Sequence, residues 1–177
     1  MIPRELICLI LRFSDIDNET KCQIFIDDYY DSIISSNTLQ NIENFKYLVK
    51  LDVSEQGLTT LPSIWPLEYL DCSFNKITQL GEYPLLKELE CSYNQITQLG
   101  EYLLLEELDC SYNQITQLGE YPLLERLHCI YNQITQLGEY PLLKELYCHY
   151  NQITQLGDYP LLKDLYCYSN NGVNILY

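Results

Sequence analysis

Three sets of side chains in this chain carry reactive chemistry, and two of them recur at one spacing. Cys72, Cys91, Cys110, Cys129, Cys148 and Cys167 stand 19 residues apart. Both histidines, His128 and His149, fall near the end of the chain. A row of carboxylates, Asp52, Asp71, Glu90 and Asp109, keeps the same 19-residue interval. Thiols, imidazoles and carboxylates together invite thoughts of a metal centre or an acid–base site. The spacing argues otherwise. No Cys-x-x-Cys pair is present among the cysteines, and two histidines without a third ligand make a poor zinc site. Buried free cysteine behaves as a small hydrophobe, so the cysteine row reads as packing. No nucleophile stands with the histidines in an acid–base order; Ser111 is one repeat away. The expectation is a protein with no cofactor, no metal and no catalytic residue.

The elements that must position these residues follow from the repeat. Asn-Gln-Ile-Thr-Gln-Leu-Gly starts at Asn94, Asn113, Asn132 and Asn151, with a close variant at Asn75. A leucine opens each unit at position 1 (Leu67, Leu86, Leu105, Leu124, Leu143, Leu162). Position 4 is leucine (Leu70, Leu89, Leu108, Leu127, Leu146, Leu165), and position 6 is the cysteine row. Asparagine holds position 9, isoleucine position 11 and leucine position 14. Alternation of Leu-x-Cys turns positions 4 and 6 inward and 3, 5 and 7 outward, which describes a short strand. One such unit cannot bury its own apolar side, so successive units must stack.

Each unit reads L-x-x-L-x-C-x-x-N-x-I-x-x-L, which closely resembles the leucine-rich-repeat pattern with cysteine in the third apolar slot. The resemblance implies an α/β solenoid: a parallel sheet on the concave face, an extended or 3₁₀ convex side and an N-terminal helical cap. It implies a ladder of asparagine amides serving backbone groups in their own coil and the next. The domain reading is a helical cap over 1–36, a solenoid of about seven units over 37–170 and a C-terminal cap over 171–177. Gly at position 15 and Pro at position 18 keep the return path from forming a regular helix. The tyrosines at position 17 (Tyr83, Tyr102, Tyr121, Tyr140, Tyr159) are expected to lie flat over that outer side.

In this family the concave face usually carries the ligand, and here its positions vary while the scaffold hardly changes. Position 5 runs Asp52, Asp71, Glu90, Asp109, His128, Tyr147, Tyr166; position 7 runs Ser54, Ser73, Ser92, Ser111, Ile130, His149, Tyr168. The face therefore divides into an acidic stripe and a cluster of His128, Ile130, Tyr147, His149, Tyr166 and Tyr168. Tyrosine brings large contact area at low entropic cost, so the cluster is the expected site for a protein or peptide partner. A further aromatic column, Phe74, Tyr93, Tyr112, Tyr131 and Tyr150, occupies position 8 and reads as a structural rib at the strand exits.

A formal charge of −15, from 25 acidic and 10 basic residues, repels phosphate backbones and anionic lipid. Nucleic acid and membrane are accordingly not expected as partners. No apolar run reaches the length of a membrane span, and the first residues carry Arg4, Glu5 and Arg12 without a cleavage site of small residues. That pattern favours a cytoplasmic protein with reduced thiols.

The opening, Pro3, Glu5, Leu6, Ile10, Leu11, Phe13, Asp15 and Ile16, resembles the start of an F-box, although the later Val-Cys-x-x-x-Trp stretch is missing. That resemblance implies, as the alternative function, a substrate receptor of a ubiquitin ligase. Short near-identical repeats behind such an opening also resemble leucine-rich-repeat proteins of large DNA viruses, which would put the protein in a host-cell cytoplasm. At the other end, Ile175, Leu176 and Tyr177 cover little of the last coil. An open parallel edge invites pairing, so a homodimer through the C-terminal end is expected.

Overall fold

The computed structural model describes residues 12–13, 48–61 and 67–170. Eight strands form one sheet in chain order: β1 (Arg12–Phe13), β2 (Leu48–Asp52), β3 (Tyr69–Asp71), β4 (Glu88–Glu90), β5 (Glu107–Asp109), β6 (Arg126–His128), β7 (Glu145–Tyr147) and β8 (Asp164–Tyr166). Strands β2 to β8 are parallel, and each residue sits beside its equivalent 19 positions on: Leu51 by Leu70, Leu70 by Leu89, through to Leu146 by Leu165. Strand β1 runs antiparallel to β2. The helical cap expected over 1–36 takes in Arg12–Phe13, yet these two residues are a strand. The rest of the 1–36 cap lies outside the described residues, as do the F-box-like opening, the C-terminal cap over 171–177 and the dimer contact expected there.

The core is a set of ladders. Leu67, Leu70, Cys72 and Ile77 have no exposed surface, and their equivalents in the next four coils are at most 3% exposed. Fully burying one such leucine is worth roughly 1.5–3 kcal/mol, and each inward side chain also packs on its copies above and below. The six cysteines of the position 6 row are free and buried. Burial pushes their thiols up, Cys148 to about 12, so at neutral pH they are protonated and unreactive.

Asparagine amides close the strand exits. Asn113 Nδ2 donates to the carbonyls of Cys91 (2.9 Å), Cys110 (3.1 Å) and Ser111 (3.2 Å), while its Oδ1 accepts from the Ile96 amide at 2.9 Å. The ladder thus serves its own coil and the preceding one, not the next. An amide carries both donors and an acceptor, which no other short side chain offers in that geometry. In the first described coil Gln56 stands in for asparagine and reaches a single carbonyl, that of Ser54.

The return path is extended, with no 3₁₀ or α-helical residue among those described. It turns at the Tyr-Pro-Leu-Leu segment, where Leu86 N donates to Tyr83 O at 3.1 Å. Pro84 sits at the second position of this turn, where its fixed φ is favourable. The position 17 tyrosines do not lie over the outside, as expected, but inside. Tyr83, Tyr102, Tyr121 and Tyr140 are at most 1% exposed. The Tyr121 hydroxyl donates to the Gly100 carbonyl of the preceding coil at 3.2 Å, and Tyr102, Tyr140 and Tyr159 repeat the bond. Position 15 is glycine for space: a Cβ on Gly119 would stand 3.2 Å from the Tyr121 ring. The glycine and the tyrosine two residues later form one packing unit.

Candidate functional site

The short strands point position 4 inward and positions 3 and 5 outward, with burial alternating along β3, β5 and β7. Parallel register then lines up position 5 as one column, Asp52, Asp71, Glu90, Asp109, His128, Tyr147, Tyr166. The structure brings the six residues of the aromatic cluster together on β6 to β8 and the coil exits beside them. His128 stacks on Tyr147 with centroids 4.4 Å apart, and Tyr147 meets Tyr166 edge-on at 4.6 Å. His149 stacks on Tyr168 at 4.3 Å. Tyr166 and Tyr168 keep 50% and 55% of their surface in solvent, so the cluster is ordered by ring contacts while its outer surface stays free.

A residue that sequence reasoning did not single out completes the cluster. Glu145, at position 3 of the following coil, lies 2.9 Å from His128 Nε2. Offsets of one coil and two positions are invisible until the strand register is known. Ion pairs of the same cross-coil kind run beside the face: Lys87 with Glu68, Arg126 with Glu107 and Lys144 with Glu125.

The position 8 column is a continuous rib. Phe74, Tyr93, Tyr112, Tyr131 and Tyr150 stack successively with centroids 4.2–4.6 Å apart. Each adopts a left-handed backbone, with φ between 52° and 56°, a conformation costly for a side chain with a Cβ. Glu55 and Ser169 share that backbone at position 8 without a ring, so the tight turn at the strand exit sets it and the rings stack upon it. Tyr150 meets Tyr168 edge-on at 5.6 Å, so rib and cluster are one aromatic surface.

The acidic half behaves differently. Asp52, Asp71 and Asp109 each accept the backbone amide two residues on, at 2.9–3.0 Å, closing the strand end. This tight local turn leaves the expected outward serines at position 7 little surface: Ser73 and Ser111 are buried. Glu90 is too long for that turn and stands between Asp71 and Asp109. Burial, then the charges of Asp71 and Asp109, raise its carboxyl above the usual range, opposed by the Tyr69 hydroxyl. A raised folded value means that the charged form is disfavoured by the fold. Its cost is present at neutral pH and is relieved as pH falls through the raised value. Glu90→Gln is therefore expected to raise the urea midpoint at pH 7, with the gap over wild type closing by about pH 4, the range of an unfolded glutamate. A midpoint that drops at pH 7 contradicts this.

On the return side, Thr78, Gln79, Glu82, Thr97, Gln98 and Glu101 line a shallow polar groove between two coils. Among the described residues no group of three or more His, Cys, Asp and Glu is placed to hold a metal. None of the described elements is a helix long and apolar enough to cross a membrane.

No family model and no curated sequence matches the chain. Solved structures do. YopM from Yersinia enterocolitica aligns over 70% of this chain at 29% identity, with a TM-score of 0.57. A leucine-rich-repeat protein of Leptospira interrogans aligns over 75% at 21% identity and 0.53. YopM from Yersinia pestis, described as a leucine-rich effector protein, aligns over 84% at 23% identity and 0.51. The aligned parts are 34%, 46% and 54% of those chains, so this chain spans about a third to a half of their length.

Proposed function

We propose that this leucine-rich-repeat protein is a protein-interaction scaffold, and that its partner docks on the sheet face over His128, Ile130, Tyr147, His149, Tyr166 and Tyr168. One observation carries the reading: scaffold positions repeat almost unchanged from coil to coil, while the face switches from carboxylates to partly exposed stacked rings. Large aromatic area that is already ordered loses little entropy on binding. The likeness to a bacterial leucine-rich effector supports the scaffold class. The open sheet face formed by the described residues suits docking, and the reading is of a non-enzyme.

Tyr147→Ala and Tyr166→Ala each test it. Peptides selected against the wild type from a random library are expected to bind about tenfold or more weakly to either variant. Both variants should melt within a few degrees of wild type, because neither ring belongs to the inward ladders. Unchanged affinity, or a variant that fails to fold, sinks the reading.

A further inference from the structure

Both halves of the sheet face are legible as one binding surface with two chemistries. From Asp52 on β2 to Tyr166 on β8 the position 5 column crosses six strand intervals. At roughly 4.8 Å per interval that is about 29 Å, the span of an extended peptide of about nine residues. The first four members are carboxylates and the last three are aromatic rings. Among the described residues, basic side chains are drawn to positions 2 and 3 instead: Lys87 to Glu68, Arg126 to Glu107, Lys144 to Glu125. None pairs with Asp52, Asp71, Glu90 or Asp109. Stacked like charges at strand spacing repel one another, and a cation laid across them relieves that repulsion. Beside this column, just past the end of β3, the Ser73 hydroxyl is buried and has no hydrogen-bond partner among the described residues.

Resting on the function proposed above, we infer that the partner is a two-part peptide segment: a run of arginines or lysines lying over β2 to β5, joined to an aromatic or aliphatic run lying over β6 to β8. Arginine fits the acidic half better than lysine. Its planar fork bridges carboxylates on neighbouring strands, and its face stacks on rings at the His128–Tyr147 seam. The net charge of −15 draws such a segment in from a distance and repels acidic ones.

Fluorescence anisotropy with labelled synthetic peptides of about ten residues tests the inference on the full chain. One peptide carries an arginine run followed by Trp, Leu and Phe. A second replaces each arginine by glutamate, and a third replaces each by serine. The arginine peptide is expected to bind at least about tenfold tighter than the serine peptide at low salt, and the glutamate peptide most weakly. The combined variant Asp71→Asn, Glu90→Gln, Asp109→Asn keeps the acceptor oxygens that close the turns. It should erase the preference for arginine and flatten the salt dependence, leaving the serine peptide's affinity unchanged. Equal binding of arginine and glutamate peptides, an unaltered preference in that variant, or no measurable binding of the arginine peptide overturns the inference. If the serine peptide still binds and loses affinity on Tyr166→Ala, the scaffold reading survives that failure. If no peptide's affinity responds to Tyr147→Ala or Tyr166→Ala, the scaffold reading itself fails.

Discussion

Replacing Asn113 by alanine is expected to remove about 2–4 kcal/mol of stability. The side chain makes four hydrogen bonds in the middle of the stack. Alanine leaves the buried Ile96 amide unpaired, while the carbonyls of Cys91 and Cys110 lose one of two donors and keep the amides of Asn94 and Asn132. Each buried group left unpaired costs roughly 1–3 kcal/mol. Such a loss is a large fraction of the stability of a small domain. Asn113→Asp should be as damaging, since a carboxylate accepts from Ile96 but donates to no carbonyl and brings a charge into the core. Asn170→Ala should cost less, because Asn170 is only part-buried in the last described coil. Urea unfolding reads all three. A loss below about 1 kcal/mol at Asn113 would mean that the amide ladder decorates the coil without holding it.

The second large effect concerns Tyr121. Its ring is fully buried and its hydroxyl is committed to Gly100. Tyr121→Ala opens a ring-sized cavity and is expected to cost about 3–5 kcal/mol, as aromatic truncations in cores do. Tyr121→Phe keeps the ring and loses one hydrogen bond, about 1 kcal/mol. Gly119→Ala presses a methyl group against the same ring and should cost about 1–3 kcal/mol. The two sites touch, so their effects should not add: Gly119→Ala made in Tyr121→Leu is expected to cost less than in wild type. Independent, additive losses would show that the glycine is there for some other reason.

Much of this was legible in the residues. Near-identical copies in strict register define the period, and the period alone assigns the inward rows, because only stacking buries them. The aromatic cluster was legible for the converse reason: positions 5 and 7 turn from acids and serines to rings while the inward rows repeat. What escaped was set by three-dimensional register or by ambiguous chemistry. Tyrosine suits an outer cover and a core equally well, and hydropathy does not separate the two. The glycine two residues ahead held the signal, since it leaves room for a ring folded inward. The partnership of His128 with Glu145 depends on neighbouring strands aligning residue for residue. The left-handed backbone under Tyr112 and its equivalents runs against residue preference, and only the strand-exit turn, which Glu55 and Ser169 share, accounts for it.

The central claim is a division of labour between tyrosines: those turned inward hold the coils together, and those on the sheet face are free to bind. Urea unfolding of the double variant Tyr147→Ala, Tyr166→Ala beside Tyr121→Ala tests it in one measurement. The account predicts that the face variant stays within about 1 kcal/mol of wild type while Tyr121→Ala loses about 3–5. A face variant as unstable as Tyr121→Ala would contradict it.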